Sequence, residues 1–272
     1  MTKALIITGF GINCEQEMAA AYRLANAQAH IAHINDIFDE SCTIHDYDIL
    51  NFPGGFSFGD DLGSGKVMAN KLKYKRLPNQ KTFLDEVKKF IADGKYILGI
   101  CNGFQFLVRL GLVPNVQIKF RQEATLAQND SGIFEDRWVY CKVNPQSKSP
   151  FLKGIDVLPL PVRHGEGKLI MASELSQEVL DKNLQALTYC DASGHPALDY
   201  PANPNGSAHQ IAGLTDTTGQ ILGLMPHPEA FLSLYNHPDW PSIKNKNPKI
   251  NEDGQGLQIF KNIVQHINTK KT

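Results

Sequence analysis

Along the first half of the chain, apolar positions alternate between the period of a strand and that of a helix. Lys3–Thr8 (KALIIT) is a short apolar run followed by Gly9 and Gly11, the pattern of a buried strand ending in a loop. Cys14–Ala29 is Ala-rich, with Met18, Ala21, Tyr22 and Ala25 at helical spacing. Ile31–Ile34 reads as a second strand, and Tyr47–Phe52 (YDILNF) as a third that breaks at Pro53-Gly54-Gly55. Lys81–Ala92 places Phe83, Leu84, Val87, Phe90 and Ile91 on one face of a helix that Gly94 stops. Lys95–Ile100 (KYILGI) is the next strand, and Phe104–Leu110 a helix ending at Gly111. Strands and helices in this order predict an α/β fold with a mostly parallel central sheet and helices on both faces.

The second half has another rhythm. Trp138–Val143, Val157–Val162, Leu187–Cys190, Ile211–Gly213 and Ile221–Leu224 read as strands with few helices between them. They either extend the sheet or fold beside it as a β-rich flank. Gly256–Ile267 (GLQIFKNIVQHI) is a closing amphipathic helix, and Pro241–Gly254, polar and rich in Asn and Lys, reads as an exposed loop. There is no internal repeat and no Ser/Gly linker, so residues 1–272 are taken as one domain.

Composition narrows the class. In 272 residues, 27 Lys and Arg face 28 Asp and Glu, which counts against a nucleic-acid binder. No apolar run approaches the ~20 residues of a membrane span. The first residues lack the pattern of a signal peptide, and a cytoplasmic protein is the expectation. The five cysteines are odd in number and widely spaced, which suits reduced thiols better than a disulfide framework or a zinc site.

One of them stands apart. Leu98-Gly99-Ile100-Cys101-Asn102-Gly103-Phe104-Gln105 puts a Cys between glycines, after a strand and before a helix. A tight strand-to-helix turn there aims the thiol out of the sheet. The helix N-terminus favours its thiolate, and the Asn102 N–H points at a developing oxyanion. The bland alternative is a buried Cys at a strand end. A thiol nucleophile needs a base, and Met225-Pro226-His227-Pro228-Glu229 offers one after another apolar strand. At i and i+2 of an extended segment that the prolines stiffen, Glu229 holds the imidazole of His227 toward the thiol. Without Cys101, the same stretch would read as a polar loop. In Phe52-Pro53-Gly54-Gly55-Phe56, the glycines let the backbone approach a ligand, and the Gly55 N–H is a second oxyanion donor. Alone, Pro-Gly-Gly is a turn. Arg163-His164-Gly165-Glu166-Gly167 is a further loop that could enter the site, whereas His33, His45 and His195 read as structural or surface residues. No cluster has metal-ligand spacing, so no metal is expected.

The order of these segments resembles the class I (triad) glutamine amidotransferases, whose pattern is a Pro-Gly-Gly loop, a Gly-x-Cys-x-Gly-x-Gln elbow and a late His-x-Glu. PGGFSFGD (53–60), GICNGFQ (99–105), RHGEG (163–167), NPNGS (203–207) and MPHPE (225–229) narrow the resemblance to the branch that serves purine biosynthesis. The resemblance implies a flavodoxin-like fold and a glutaminase. Cys101 attacks the glutamine amide, His227 and Glu229 complete the triad, and Gly55 and Asn102 line the oxyanion hole. Gly54, Gln105 and His164 hold the substrate. Ammonia passes to a large synthetase subunit, which carries the ATP and Mg2+ and converts formylglycinamide ribonucleotide to the amidine. A small third subunit completes the set, and the glutaminase is low in activity without its partner. No cofactor is expected in this chain. Two departures stand out: Ala230 replaces the Arg of many members, and Phe231–Gly254 lengthens the chain. Two other readings use the same scaffold: a Cys-elbow peptidase, deglycase or chaperone, which usually has His where Asn102 stands, and a non-catalytic subunit, which would lack one of the three residues. A glutaminase serving another acceptor lacks the PGGFSFGD, RHGEG and NPNGS segments.

Overall fold

In the computed structural model, which describes residues 1–271, the first half follows the alternation read from the sequence; Thr272, the last residue of the expected domain, lies outside the described residues. The order is β1 (Lys3–Thr8), α1 (Glu15–Leu24), β2 (Gln28–His33), α2 (Ile34–Phe38), β3 (Ile49–Phe52), α3 (Lys66–Tyr74), α4 (Phe83–Ala92), β4 (Tyr96–Ile100) and α5 (Asn102–Arg109). The second half continues with β5 (Ala124–Gln128), β6 (Glu135–Val143), β7 (Val157–His164), β8 (Glu166–Met171), α6 (Ser173–Asp181), β9 (Gln185–Cys190), β10 (Ile211–Thr215), β11 (Ile221–Leu224), α7 (Trp240–Lys246) and α8 (Leu257–Lys271).

Nine strands form one sheet in the order β2-β1-β3-β4-β11-β10-β9-β6-β7. From β2 to β11 neighbours are parallel, and from β11 to β7 they are antiparallel. Of the two arrangements open for the second half, extension of the sheet is the one adopted; β5 and β8 alone pair apart, as a small antiparallel sheet. Every residue of β3, β4 and β11 is buried, as strands covered on both faces require.

The helices bury the faces their patterns present. In α4, Thr82 accepts from the Asp85 N–H at 3.2 Å and Asp85 accepts from the Thr82 N–H at 3.1 Å, a capping box. Phe83, Leu84, Val87 and Phe90 are then buried, each stabilising by about 1.5–3 kcal/mol relative to exposure. The helix expected over Cys14–Ala29 stops at Leu24, because Asn26 takes φ 61° and Gln28 already pairs with Lys3. The second strand begins earlier than expected and ends at His33, whose ring nitrogen accepts from the Asn35 N–H at 3.1 Å and starts α2. The exposed loop expected over Pro241–Gly254 contains α7, with Pro241 in its first turn, where a missing N–H costs nothing. Just before it, Phe231 and His237 pack on Trp138, at ring separations of 5.0 and 4.6 Å. Among the described residues no helix is long and apolar enough to cross a membrane.

Candidate active site

The carboxyl ends of β1, β3, β4 and β11 open on one edge of the sheet, where ligands of open parallel sheets bind. β4 and β11 are direct neighbours, with Ile100 opposite Leu224, and the pairing runs one step further: the Cys101 N–H donates to the Leu224 carbonyl at 2.8 Å. The nucleophile candidate and the base candidate therefore leave the sheet side by side.

Cys101 sits at φ 53° and ψ −105°, a conformation that is strained for a side-chain-bearing residue. It is the residue before α5, and its carbonyl accepts from the Gln105 N–H at 3.0 Å. The thiol lies 3.6 Å from the Arg163 carbonyl. His227 is 2% exposed, and its main chain is fixed by β7: the His227 N–H donates to the Pro161 carbonyl at 2.8 Å. The ring's Nδ1 meets Glu229 Oε1 at 2.7 Å, and Glu229 is 1% exposed. Nε2 has no hydrogen-bond partner among the described residues. Burial alone would drive a proton off this imidazole, but the charges of Glu229 and a Cys101 thiolate outweigh it and raise its pKa well above the ordinary value.

The His227–Glu229 contact is made by a different backbone from the one expected. His227 caps a single 3-10 turn over Pro228–Ala230, and the Ala230 N–H donates to its carbonyl at 3.2 Å. Pro228, with φ fixed near the helical value, starts that turn instead of extending the chain. Gly54 lies against the ring: a Cβ there would stand 2.7 Å from His227 Cε1. Gly55 (φ 147°) could carry no side chain either, since a Cβ would fall 2.6 Å from the Gly11 carbonyl oxygen. The N–H groups of Gly55 and Asn102 donate no hydrogen bond to any described residue.

A buried polar chain runs beside the thiol. Asn102 accepts from the Ser57 N–H at 3.2 Å and donates to Gln105 Oε1 at 2.7 Å, and Gln105 Nε2 donates to the Glu166 carbonyl at 2.7 Å. Glu166 also accepts from the Ser64 N–H at 3.0 Å. This chain ties the Pro53–Asp60 loop, the elbow and the Arg163–Gly167 corner together. His164, in that corner, is 1% exposed; its Nδ1 faces Asn129 Oδ1 at 3.0 Å. Burial, together with the nearby His227 charge, pushes its pKa down to about 3 and keeps it neutral.

Two further side chains lie at the site: Cys14, and Arg163 from the loop expected to be able to enter it. Cys14, grouped in the sequence reading with the structural thiols, has its sulfur within 4.8 Å of a His227 ring nitrogen. Arg163 places Nη2 3.4 Å from His227 Nδ1 and donates to Glu17 at 3.2 Å. The only hint was position: Cys14 closes the loop that begins at Gly9, and Arg163 precedes His164. His45, read as structural or surface, meets Glu86 at 2.7 Å, away from these residues.

Against known proteins, residues 1–267 match the family model described as CobB/CobQ-like glutamine amidotransferase domain. The chain is 42% identical over 274 residues to the phosphoribosylformylglycinamidine synthase subunit PurQ of Methanococcus maripaludis, covering 98% of this chain and 97% of that one. It is 43% identical over 263 residues to the same-named subunit of Dehalococcoides mccartyi, covering 97% and 96%. Its structure is similar to a chain in the solved PurLQS of Thermotoga maritima, with a TM-score of 0.70, 25% identity, and coverage of 98% and 99%.

Proposed function

We infer that this chain, which belongs to the CobB/CobQ-like glutamine amidotransferase domain family, is the glutaminase subunit of phosphoribosylformylglycinamidine synthase. Its substrate is glutamine. Its partners are the large synthetase subunit, which converts formylglycinamide ribonucleotide to the amidine, and a small third subunit. ATP and Mg2+ are assigned to the synthetase. The five unpaired thiols support a reducing, cytoplasmic setting.

The observation that carries the mechanism is the buried relay of Cys101, His227 and Glu229 at the ends of two adjacent strands. The Cys101 thiolate attacks the side-chain carbonyl carbon of glutamine. The oxyanion is received by the Gly55 and Asn102 N–H groups, each such donor typically worth about 2.7–4 kcal/mol of barrier. The His227 imidazolium gives its proton to the amide nitrogen, the C–N bond breaks, and ammonia leaves. Water, deprotonated by His227, then cleaves the γ-glutamyl thioester and releases glutamate. Glu229 fixes the ring and balances its charge. Gly54 gives the ring its space. Gln105 and His164 act on the substrate through the loop and corner they hold, Gln105 keeping one N–H and one lone pair free for glutamine.

The test is Cys101→Ala in the assembled complex. Glutamine-dependent amidine formation is lost while ammonia-dependent formation stays near wild type. Unchanged glutamine-dependent turnover would sink the mechanism. Glutamate release by the wild-type chain rises when the synthetase is added.

A further inference from the structure

The reaction as proposed uses one of the two thiols near the His227 ring. The other, Cys14, is 7% exposed and stands just before α1. Its sulfur lies on the Gly54 side of the ring, where a Gly54 Cβ would be 3.2 Å from Cys14 Sγ and 3.4 Å from His227 Nδ1. One donor atom each from Cys14, His227 and Glu229 lie within 4.8 Å of one another, and all three residues are buried. The ring nitrogen on this side is Nδ1, and Glu229 Oε2 lacks a hydrogen-bond partner among the described residues, on a side chain that is 0% exposed. Thiol, imidazole and carboxylate are a donor set for borderline-soft divalent cations, whereas Mg2+ and Ca2+ take oxygen. Tetrahedral Zn2+, with bonds of about 2.0–2.3 Å, sets its donors about 3.5 Å apart, within reach of small side-chain rotations here.

We propose that Cys14, His227 and Glu229 form an inhibitory site for a borderline-soft divalent cation such as Zn2+, which arrests the glutaminase by occupying its base. On binding, the Cys14 thiol proton and the proton between His227 and Glu229 pass to solvent. Thiolate, imidazole and carboxylate each donate an electron pair to the cation, and nothing is oxidised or reduced. The two anionic ligands neutralise the charge. Arg163 is the positive group that faces these residues, and its guanidinium must leave for the cation to enter. It and Glu17 are 34% and 44% exposed, so the pair can swing into water together. The inhibitory half of the proposal rests on the triad reading above; the binding half does not.

The binding test titrates Co2+ into the full chain and follows the near-ultraviolet thiolate-to-cobalt band. Wild type and Cys101→Ser show the band, Zn2+ displaces it, and both Cys14→Ser and Cys14→Ala lack it. Arg163→Met brings it up at lower Co2+. A band that survives in the Cys14 variants and vanishes in Cys101→Ser overturns the site, and so does a wild type with no band. In the assembled complex, Zn2+ lowers glutamine-dependent amidine formation and spares the ammonia-dependent reaction. Cys14→Ser raises the Zn2+ needed by roughly ten-fold or more. Equal Zn2+ sensitivity in Cys14→Ser and wild type overturns the inhibitory role. A wild-type complex with no glutamine dependence would instead sink the triad reading, leaving the cobalt band to decide the metal site.

Discussion

Glu229 and His164 show how burial sets the work of single residues in this site. Glu229 is a buried carboxylate whose Oε1 meets the ring, so it acts by charge as much as by shape. Glu229→Gln keeps the shape and removes the charge. We expect kcat for glutamine hydrolysis to fall on the order of 10²-fold or more with KM little changed, as loss of acid–base function does. A wild-type rate would leave Glu229 a structural role. His164 makes a second prediction. Its pKa is held at about 3 against an ordinary 6.5, so between those values the unfolded chain binds more protons than the folded one. The sign follows: stability rises with pH across that window and is lost as pH falls through it. In His164→Asn, urea midpoints measured from pH 4 to 7 should rise less steeply than in wild type. Cys101, His227 and Glu229 were legible in sequence because glycines and prolines bracket them and each follows an apolar strand. Cys14 was not, and of Arg163 only the loop was marked, because their approach to the ring depends on how the β1 loop and β7 converge, and no local spacing encodes that.

Among the elements, α5 matters most, because it carries the elbow and crosses the sheet at close range. A Cβ at Gly103 would stand 1.8 Å from the Phe52 carbonyl oxygen, and one at Gly223 2.2 Å from Phe104 Cδ2. The helix lies this close only because these positions have no side chain. Gly103→Ala must push α5 off β3, at a cost of about 1–3 kcal/mol or more. Thermal unfolding should show a lower Tm, and glutaminase activity should fall with it as Cys101 moves from the ring. A wild-type Tm and rate would mean that the contact relaxes freely. The strands at the sheet centre and α4 were read almost to their ends, since their apolar patterns are dense. The helices α3 and α6 were passed over: each buries three residues, Met68, Ala69 and Leu72 in one, Leu175, Ser176 and Val179 in the other. Such faces are too thin to stand out from a polar loop. Strands β5 and β8 were missed for a related reason, as they pair only with each other at the edge of the fold.

At the scale of the molecule, Asn129 joins the small sheet to the site. Its Nδ2 donates to the Ile133 and His164 carbonyls at 3.0 and 2.8 Å, and its Oδ1 accepts from the Gly167 N–H at 3.2 Å. Asn129→Ala strands those buried groups, and we expect a loss of about 1–3 kcal/mol per group left without a partner. Denaturant unfolding measures that loss. KM for glutamine should rise as well, because the Arg163–Gly167 corner holds Gln105; an unchanged KM would separate the corner from the substrate. The order of the large sheet was not legible from the chain, since nothing in Ile221–Leu224 says that it enters beside β4 instead of at an edge. That placement also governs how the protein is made. While the ribosome is still delivering the middle of the chain, β4 is an open edge of bare, fully apolar backbone. The strand that closes it emerges more than a hundred residues after Cys101, and the imidazole follows directly behind. On the proposed mechanism, unfinished chains therefore carry the thiol without its base: they are expected to be silent toward glutamine, prone to stick to one another, and natural clients for whatever shields nascent polypeptides.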